Sequence, residues 1–223
     1  MANELTPEAL PANLPAVLQV QGLCFAYPQR EVFAGWDGSI PPGVTLLQGE
    51  DGCGKTTLLR LLAADLVPQA GELRLRGTSL RLQPEAYRQQ VFWADPWLQA
   101  FEQHTPADYF ALQRKRCADF DPGLLADLVE ALRLEPHLGK ALYMLSTGSR
   151  RKVWLAAAFA SGAAVTLLDE PFAALDHASA ACVREFLQEA AQHPSRAWVV
   201  AHHAAPGELP LATHLLLKNP DQL

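Results

Sequence analysis

The sequence predicts an α/β fold, with a mostly parallel sheet flanked by helices, an antiparallel β subdomain and a helical insertion. Three observations lead to this prediction. Short apolar runs alternate with stretches of helical periodicity in the first and last thirds of the chain, which is typical of a parallel sheet covered on both faces. A glycine-rich segment joins one apolar run directly to a helical stretch. The middle of the chain, by contrast, has helical patterns.

The composition is that of a globular domain with an acidic balance of charge. Of 223 residues, 49% are apolar and 19% are charged, and the formal net charge is -6. A general nucleic-acid-binding protein would usually be basic, so we expect no nucleic-acid partner. The four cysteines are far apart and show no metal-ligand spacing, which predicts reduced thiols at Cys24, Cys53, Cys117 and Cys182.

Residues 1–15 are expected to form a loose extension ahead of a single domain at residues 16–223. This extension contains three prolines and has neither the basic start nor the apolar core of a signal peptide. Within the domain, a helical subdomain is expected at about residues 96–148. It contains two stretches with helical periodicity and N-terminal Pro or Asp signals, at residues 106–117 and 121–134.

Local patterns also predict the elements that precede the insertion. Strands are expected at Ala16–Tyr27, Val44–Leu47 and Gly71–Arg76. The segment between the first two is rich in turn-forming residues and ends in Pro41-Pro42-Gly43, so it predicts turns. The helix expected after the glycine-rich segment packs through Leu58, Leu61 and Leu62.

Helices and strands are expected to alternate after the insertion, at Arg150–Ala160, Ala164–Leu168, Ser179–Gln192, Ala197–Ala201 and Leu211–Leu217. The apolar stretch from Val153 to Leu168 also resembles a membrane span. It is shorter than the about 20 residues that a span needs, and Ser161-Gly162 interrupts it. We therefore expect a buried helix followed by a buried strand, and no transmembrane segment.

The glycine-rich segment Gly49-Glu50-Asp51-Gly52-Cys53-Gly54-Lys55-Thr56-Thr57 fits the pattern G-x-x-x-x-G-K-[ST] of a phosphate-binding loop. Glycines let backbone N–H groups surround phosphate oxygens, and the following helix directs its positive end at the same anion. Lys55 would reach the β- and γ-phosphates of a nucleotide, and the Thr56 hydroxyl would bind Mg²⁺. Cys53 is interpreted as an inert filler; the alternative is a thiol that blocks the loop when oxidised or alkylated.

Asp169 and Glu170 follow the apolar run 165–168, at the sheet edge where parallel strands present their ligands. Asp169 is suited to hold Mg²⁺ through water, and Glu170 is suited to orient or activate a hydrolytic water. A pair that merely caps a strand would explain these two residues alone. The phosphate-binding loop favours the metal-binding interpretation.

The order of motifs resembles that of one family, the nucleotide-binding subunits of ATP-binding cassette (ABC) transporters, over almost the whole chain after residue 16. The sequence LSTGS at residues 145–149 stands where this family has LSGGQ, and LLDEP follows at residues 167–171. Residues 171–176 resemble the family's D-loop, and His202 after Val199-Val200-Ala201 resembles its switch histidine. Tyr27 lies where the family has an aromatic residue that stacks on adenine.

The resemblance implies the RecA-like fold of P-loop NTPases and a dimer that encloses ATP. Ser146 and Gly148 precede a helix expected to start near Ser149, and in the family this helix end serves the γ-phosphate held by the opposite subunit. His202 would project toward the γ-phosphate, and His203 would point to the opposite face because strand side chains alternate.

Three of these residues also have simpler explanations. Asp176, assigned to nucleotide binding by the resemblance, could be the N-cap of the helix that follows it, and both roles are compatible. Tyr27 could be a core or surface aromatic residue, and His202 could be an ordinary surface histidine.

The resemblance also implies a function. A protein of this type binds ATP and Mg²⁺, hydrolyses ATP and drives a separate integral membrane permease, which contacts the helical insertion. It would form a homodimer, or a heterodimer with a related subunit, at the cytoplasmic face of the cell membrane. The short chain and the signature beginning LST resemble the haem-exporter (cytochrome c maturation) and drug- or polysaccharide-exporter subtypes. A soluble phosphate-loop kinase would need neither LSTGS nor His202.

One departure from the family's pattern opens an alternative. Ala94 occupies the place of the glutamine that contacts Mg²⁺ and the attacking water, and a methyl group cannot bind a metal. Either Asp95 substitutes for it, or Gln99 does so after a shift of the loop, or coupling and metal binding are weakened. The same departure supports a second hypothesis, a nucleotide-dependent switch or assembly protein with little turnover. In the signature, Thr147 and Ser149 replace a glycine and a glutamine, and Thr147 would disturb the motif only if its φ were positive.

Overall fold

The computed structural model describes residues 15–95, 100–204, 207 and 209–218. Its strands are β1 (Leu18–Tyr27), β2 (Arg30–Ile40), β3 (Gly43–Gln48), β4 (Ala70–Leu75), β5 (Thr78–Ser79), β6 (Val91–Ala94), β7 (Val165–Asp169), β8 (Ala197–His202) and β9 (Thr213–Leu216). Its helices are α1 (Lys55–Leu62), α2 (Pro84–Arg88), α3 (Pro106–Arg116), α4 (Pro122–Ala131), α5 (Thr147–Ala160) and α6 (His177–Ala190). Residues 1–14 of the expected N-terminal extension lie outside the described part.

Five strands form a parallel sheet in the order β6-β7-β8-β3-β9, as the alternation of strands and helices predicts. All of β7 is buried, as are the first five residues of β3 and of β8. A strand buried on both faces has a continuous apolar sequence, which is why short apolar runs located these strands. One hydrophobic core contains α5 and α6, and a second contains α1 and the antiparallel sheet.

The antiparallel sheet has the strand order β2-β1-β4-β5 and corrects one prediction. The segment expected to consist of turns is in fact the strand β2, and Tyr27 pairs with Arg30 across a two-residue turn. Gly35 has a φ of +73°, and shifts in the pairing register with β1 interrupt the strand's alternation. The bulged strand therefore contains the glycines and Asp37 that otherwise indicate turns.

The described part of the insertion contains the helices α3 and α4. A capping box between Thr105 and Asp108 begins α3, and the Asp121 side chain accepts hydrogen bonds from the first turn of α4. Both helices pack against α5 and share its hydrophobic core. The insertion is thus joined to the parallel sheet through α5.

The apolar stretch that resembled a membrane span is divided between α5 and β7, which confirms the expectation of a buried helix and strand. Its break is at Gly162, which has a φ of +68° and lies against the Asp119 carbonyl, where a Cβ would collide. Within the described ranges, no helix combines the length and the apolar character required to cross a bilayer.

Candidate active site

The C-terminal ends of three neighbouring strands bring the predicted motifs together. Gln48 at the end of β3 pairs with His202 of β8, and Asp169 of β7 pairs with Ala201 on the other side of β8. The phosphate-binding loop follows β3 directly. It therefore meets the Asp169-Glu170 pair and His202 at one edge of the sheet, where parallel α/β sheets bind ligands.

The loop surrounds a pocket of about 380 Å³. Gly52 and Gly54 have φ values of +78° and +104°, conformations that other residues rarely adopt. Gly54 also lies against Val32, so that a Cβ there would be only 2.7 Å from the Val32 side chain. The pocket is lined by Arg30, Asp51, Gly52, Gly54, Lys55, Thr56, Thr57, Arg151, Asp169 and Glu170.

Lys55, at the start of α1, is held inside the loop. Its Nζ donates hydrogen bonds to the carbonyls of Gly49 (2.8 Å) and Glu50 (3.0 Å), and the residue is only 8% exposed. Cys53 is buried as well, and its sulfur fills the space that a side chain at Gly49 would need. This position fits the interpretation of Cys53 as a filler, since a reagent would reach the thiol only if the loop opened.

Thr56 and Asp169 meet directly, although 113 residues separate them in the sequence. The Thr56 hydroxyl donates to Asp169 Oδ2 over 2.6 Å. Burial raises the pKa of Asp169, and the hydrogen bond from Thr56 and the charges of Lys55 and Arg151 oppose this effect. A hydroxyl and a buried carboxylate at one point are hard oxygen ligands that suit Mg²⁺, so the residues present fit this ion.

Glu170 and His202 are also in contact. His202 Nε2 lies 3.3 Å from Glu170 Oε2, and its Nδ1 lies 2.8 Å from the Ala204 carbonyl. Glu170 has a φ of +45°, which is unusual for a residue with a side chain, and its N–H donates to Ala201 over 2.9 Å. The backbone is thus held in a conformation that directs the carboxylate toward the histidine.

His203 corrects the prediction that it points away from this site. Its Nδ1 lies 3.6 Å from the same Glu170 oxygen, and its ring stacks on that of His202 with centroids 4.3 Å apart. The prediction failed because β8 ends at His202, so the alternation of side chains does not continue. Gln48 donates a hydrogen bond to the His203 carbonyl over 3.1 Å, and this bond holds the backbone of His203 in position after the end of β8.

Sequence reasoning missed two arginines of the pocket. Arg151 Nη1 donates to the carbonyls of Asp169 (3.2 Å) and Glu170, and burial lowers its pKa, against the charges of those two residues. Arg30 Nη1 donates to the Gly52 carbonyl over 3.0 Å. The available signal for Arg151 was a charged residue just before the buried part of α5, whereas Arg30 depended on the missed strand β2.

Ala94 ends β6 in a confined place. It is 8% exposed and belongs to the core around α5, and it lines a small cavity of about 10 Å³ together with Arg151, Trp154 and neighbouring residues. Asp95 is near Arg60: the Asp65 side chain raises the pKa of Arg60 most, and the charge of Asp95 contributes a smaller rise. Asp95 is not among the described residues that line the pocket, and Gln99 lies outside the described ranges.

The signature segment forms a helix N-terminus, but α5 begins at Thr147, two residues before the expected start. Ser146 is the N-cap and accepts from the Ser149 N–H over 3.1 Å. Thr147 is helical, so the condition under which it would disturb the motif is not met. Gly148 lies so close to the Ala174 carbonyl that a Cβ would collide with it. Among the described residues that line the pocket, none comes from this segment.

Asp176 lies at the start of α6, and Tyr27 lies at the end of β1. Asp176 is the N-cap of α6, and the ion pair with Lys152 (2.7 Å) and the hydrogen bonds from Ser179 hold its pKa well below the usual range. The N-cap explanation is therefore confirmed. Tyr27 is 40% exposed at the end of β1, and its hydroxyl lies 3.4 Å from that of Thr57.

A phosphate-binding loop between a parallel strand and a helix, with a carboxylate from the next strand but one on its threonine, defines a P-loop NTPase. The family model described as ABC transporter matches residues 35–173, and the chain belongs to this family as an ATP-binding subunit. Members of this type are ATP hydrolases, and this is the enzymatic class of the protein.

Individual relatives and a solved structure agree with this assignment. The chain is 34% identical over 220 residues (91% of this chain, 94% of the relative) to the cytochrome c biogenesis ATP-binding export protein CcmA of Cupriavidus necator. It is 30% identical over 200 residues (80% and 82%) to the thiamine import ATP-binding protein ThiQ of Vibrio vulnificus. A solved ATP-binding subunit of an ABC transporter has the same fold, with a TM-score of 0.75, 24% identity, and coverage of 84% of this chain and 79% of the other.

Proposed function

We propose that the protein hydrolyses ATP in an Mg²⁺-dependent reaction and thereby drives a separate integral membrane permease. The observation that carries the proposal is the meeting of Lys55, Thr56, Asp169, Glu170 and His202 around one edge of the parallel sheet. Each of these side chains has the chemistry that phosphoryl transfer to water requires, and tertiary structure alone unites them.

Substrate binding is the part of the reaction assigned to the loop. The N–H groups of the loop and the start of α1 surround the phosphates, and Lys55 exchanges its carbonyl partners for phosphate oxygens. Thr56 and Asp169 hold Mg²⁺, which when bound neutralises negative charge on the phosphates. Tyr27, next to Thr57, stacks on the adenine base.

Water activation is assigned to Glu170. Its carboxylate orients the attacking water and accepts a proton from it, and His202 positions the carboxylate and contacts the γ-phosphate. Arg151 holds the backbone carbonyls of Asp169 and Glu170, and so keeps the metal-binding and water-activating carboxylates in a fixed relation.

Each pocket is completed by a second subunit, either an identical one or a related one. Ser146 and Gly148 form an anion-binding helix N-terminus outside their own chain's pocket, which supports their contact with the nucleotide of the partner. Lys152 joins this helix to Asp176, so the signature and the D-loop form one connected face. A symmetric dimer would bury two such faces and enclose two nucleotides.

The permease docks on α3 and α4, which places the protein at the cytoplasmic face of the membrane. The CcmA export protein matches more of the chain, and at higher identity, than the thiamine import protein, which favours an exporter of the short subtype. The proposal is tested by measuring phosphate release from ATP by the purified protein, with Mg²⁺ and with a chelator. We expect turnover that requires Mg²⁺; ATP binding without turnover, even with the permease, would favour the switch protein instead.

The variant Ala94→Gln gives a second test that distinguishes an ATP hydrolase from a switch protein with little turnover. We expect it to lower the free energy of unfolding by about 1–3 kcal/mol without raising turnover, because Ala94 is buried in the core around α5 and a longer side chain must displace its neighbours. Denaturant unfolding and steady-state phosphate release are the measurements. A rise in turnover of tenfold or more would show that the missing glutamine limits the natural chain, as the switch function requires.

The variant Arg151→Ala tests how the carboxylate pair is held. Loss of hydrogen bonds from a charged donor, each contributing about 1.5–3 kcal/mol, is expected to lower kcat by about 10- to 100-fold. The KM for ATP should change less than kcat, because Arg151 contacts the carbonyls of Asp169 and Glu170 and not the loop. Arg151→Lys should restore part of kcat, and the exposed Arg114→Ala on α3 is the control. An unchanged kcat in Arg151→Ala would contradict the assignment.

A further inference from the structure

Three side chains converge on one carboxylate oxygen at the edge of the active site. His202 Nε2 lies 3.3 Å and His203 Nδ1 lies 3.6 Å from Glu170 Oε2, and one ligand atom from each of the three residues lies within 4.8 Å of the other two. An ion pair between Glu170 and a protonated His202 would account for the first contact. It does not account for the second histidine on the same oxygen.

The spacing of these atoms matches the coordination shell of a transition metal. In a tetrahedral zinc site, with metal–ligand distances of about 2.0–2.1 Å, neighbouring ligand atoms are about 3.3 Å apart. Two of the three separations here are 3.3 Å and 3.6 Å. Two imidazoles and one carboxylate, with a remaining position open, form a ligand set that suits late divalent ions such as Zn²⁺.

The surroundings of the two histidines support metal binding. Both the carbonyl (2.8 Å) and the N–H (3.2 Å) of Ala204 lie near His202 Nδ1, and in the tautomer whose Nδ1 proton donates to the carbonyl, Nε2 is free to bind a metal. A backbone carbonyl on the second ring nitrogen is a usual partner of a metal-bound histidine. His203 has 68% of its side chain exposed, so an ion can enter from solvent and the ring can turn to complete the shell.

We propose that Glu170, His202 and His203 bind a late divalent transition-metal ion such as Zn²⁺, and that this ion inhibits ATP hydrolysis. The site is chemically distinct from the oxygen site of Thr56 and Asp169, because Mg²⁺ prefers oxygen ligands and imidazole favours zinc. The inhibition rests on the proposed function, since a metal on the Glu170 carboxylate prevents that group from activating water.

The binding itself is tested without nucleotide. Zn²⁺ is titrated calorimetrically, and Co²⁺ by its visible absorption, into the wild-type protein and into His203→Ala, His203→Gln and the exposed control His214→Ala. We expect one ion per wild-type chain, the same affinity in His214→Ala, and at least about tenfold weaker binding in both His203 variants, which lose a ligand. Equal binding by wild type and the His203 variants, or a thiolate-to-cobalt band from a cysteine, would overturn the proposal.

The inhibition is tested by titrating Zn²⁺ into the Mg²⁺-dependent ATPase reaction. We expect the His203 variants to need at least about tenfold more Zn²⁺ than the wild type for half inhibition, with each rate expressed relative to that variant's own zinc-free rate. Equal sensitivity of all variants would place the inhibition elsewhere and overturn this part. A chain that binds Zn²⁺ through His203 and shows no ATPase activity would contradict the proposed function while leaving the metal site established.

Discussion

Replacing Glu170 by glutamine is expected to lower kcat about 10²- to 10⁴-fold, the usual contribution of a positioned general base. The amide keeps the shape of the side chain and the backbone contacts with Arg151 and Ala201, but it cannot accept a proton from water. ATP binding should be retained, because Lys55, Thr56 and the loop are unchanged. Steady-state phosphate release and equilibrium ATP binding measure the two effects.

The same variant should reveal the dimer. With hydrolysis blocked, Mg²⁺ and ATP are expected to hold two chains together, since each nucleotide would contact the loop of one chain and Ser146 of the other. Size-exclusion chromatography with and without ATP measures whether the chain is a monomer or a dimer, and the exposed Glu130→Gln on α4 is the matched control. A Glu170→Gln protein that hydrolyses ATP at the wild-type rate would remove this residue from the catalytic role.

Replacing Lys55 by alanine is expected to abolish ATP hydrolysis through loss of nucleotide binding. The buried Nζ group of Lys55 is the cation that α1 supplies to the phosphate pocket. Within the described ranges its partners are the carbonyls of Gly49 and Glu50 and, at 3.9 Å, the Asp51 carboxylate, all of which it can exchange for phosphate. Saturating ATP at about 100 times its Kd stabilises a protein by about 2.7 kcal/mol. The wild type should therefore show a rise in Tm with ATP that Lys55→Ala lacks.

Two comparisons make the Lys55 result specific. The exposed Lys115→Ala on α3 should keep both the activity and the rise in Tm. The Tm of Lys55→Ala without ATP shows whether the unpaired carbonyls of Gly49 and Glu50 destabilise the loop. Full activity in Lys55→Ala would mean that the loop does not bind the transferred phosphate, and the proposed function would be wrong.

The parts of the fold that could be predicted were the elements whose formation depends on residues close to one another in the sequence. The buried strands β3, β7 and β8 are continuous apolar runs because helices cover both faces of the sheet. The strand β2 was not predicted, because its bulge at Gly35 interrupts the alternation of buried and exposed side chains on which a strand prediction depends. The start of α5 was misplaced by two residues, since Ser146 is the N-cap and the helix already includes Thr147, whereas the prediction began the helix near Ser149.

The residues of the candidate site also divide into those that the local sequence predicts and those that it does not. The loop could be predicted because glycines at φ values such as +104° and a lysine at the first helical position are local requirements of phosphate binding. The contacts of Arg151 with the Asp169-Glu170 backbone span 18 and 19 residues of sequence, and no periodicity indicates them. Arg30 could not be placed before the strand that carries it was known.

By itself, the sequence determined the fold class, the phosphate-binding loop and the order of motifs that identifies the family, because backbone conformation and amphipathic periodicity depend on near neighbours. Only the tertiary structure decided what surrounds Glu170. His203 faces Glu170 because β8 ends one residue before it, and Ala94 adjoins Arg151 because β6 ends against α5. Such contacts depend on where separate elements end in space, and one residue more or less of strand reverses the direction of a side chain.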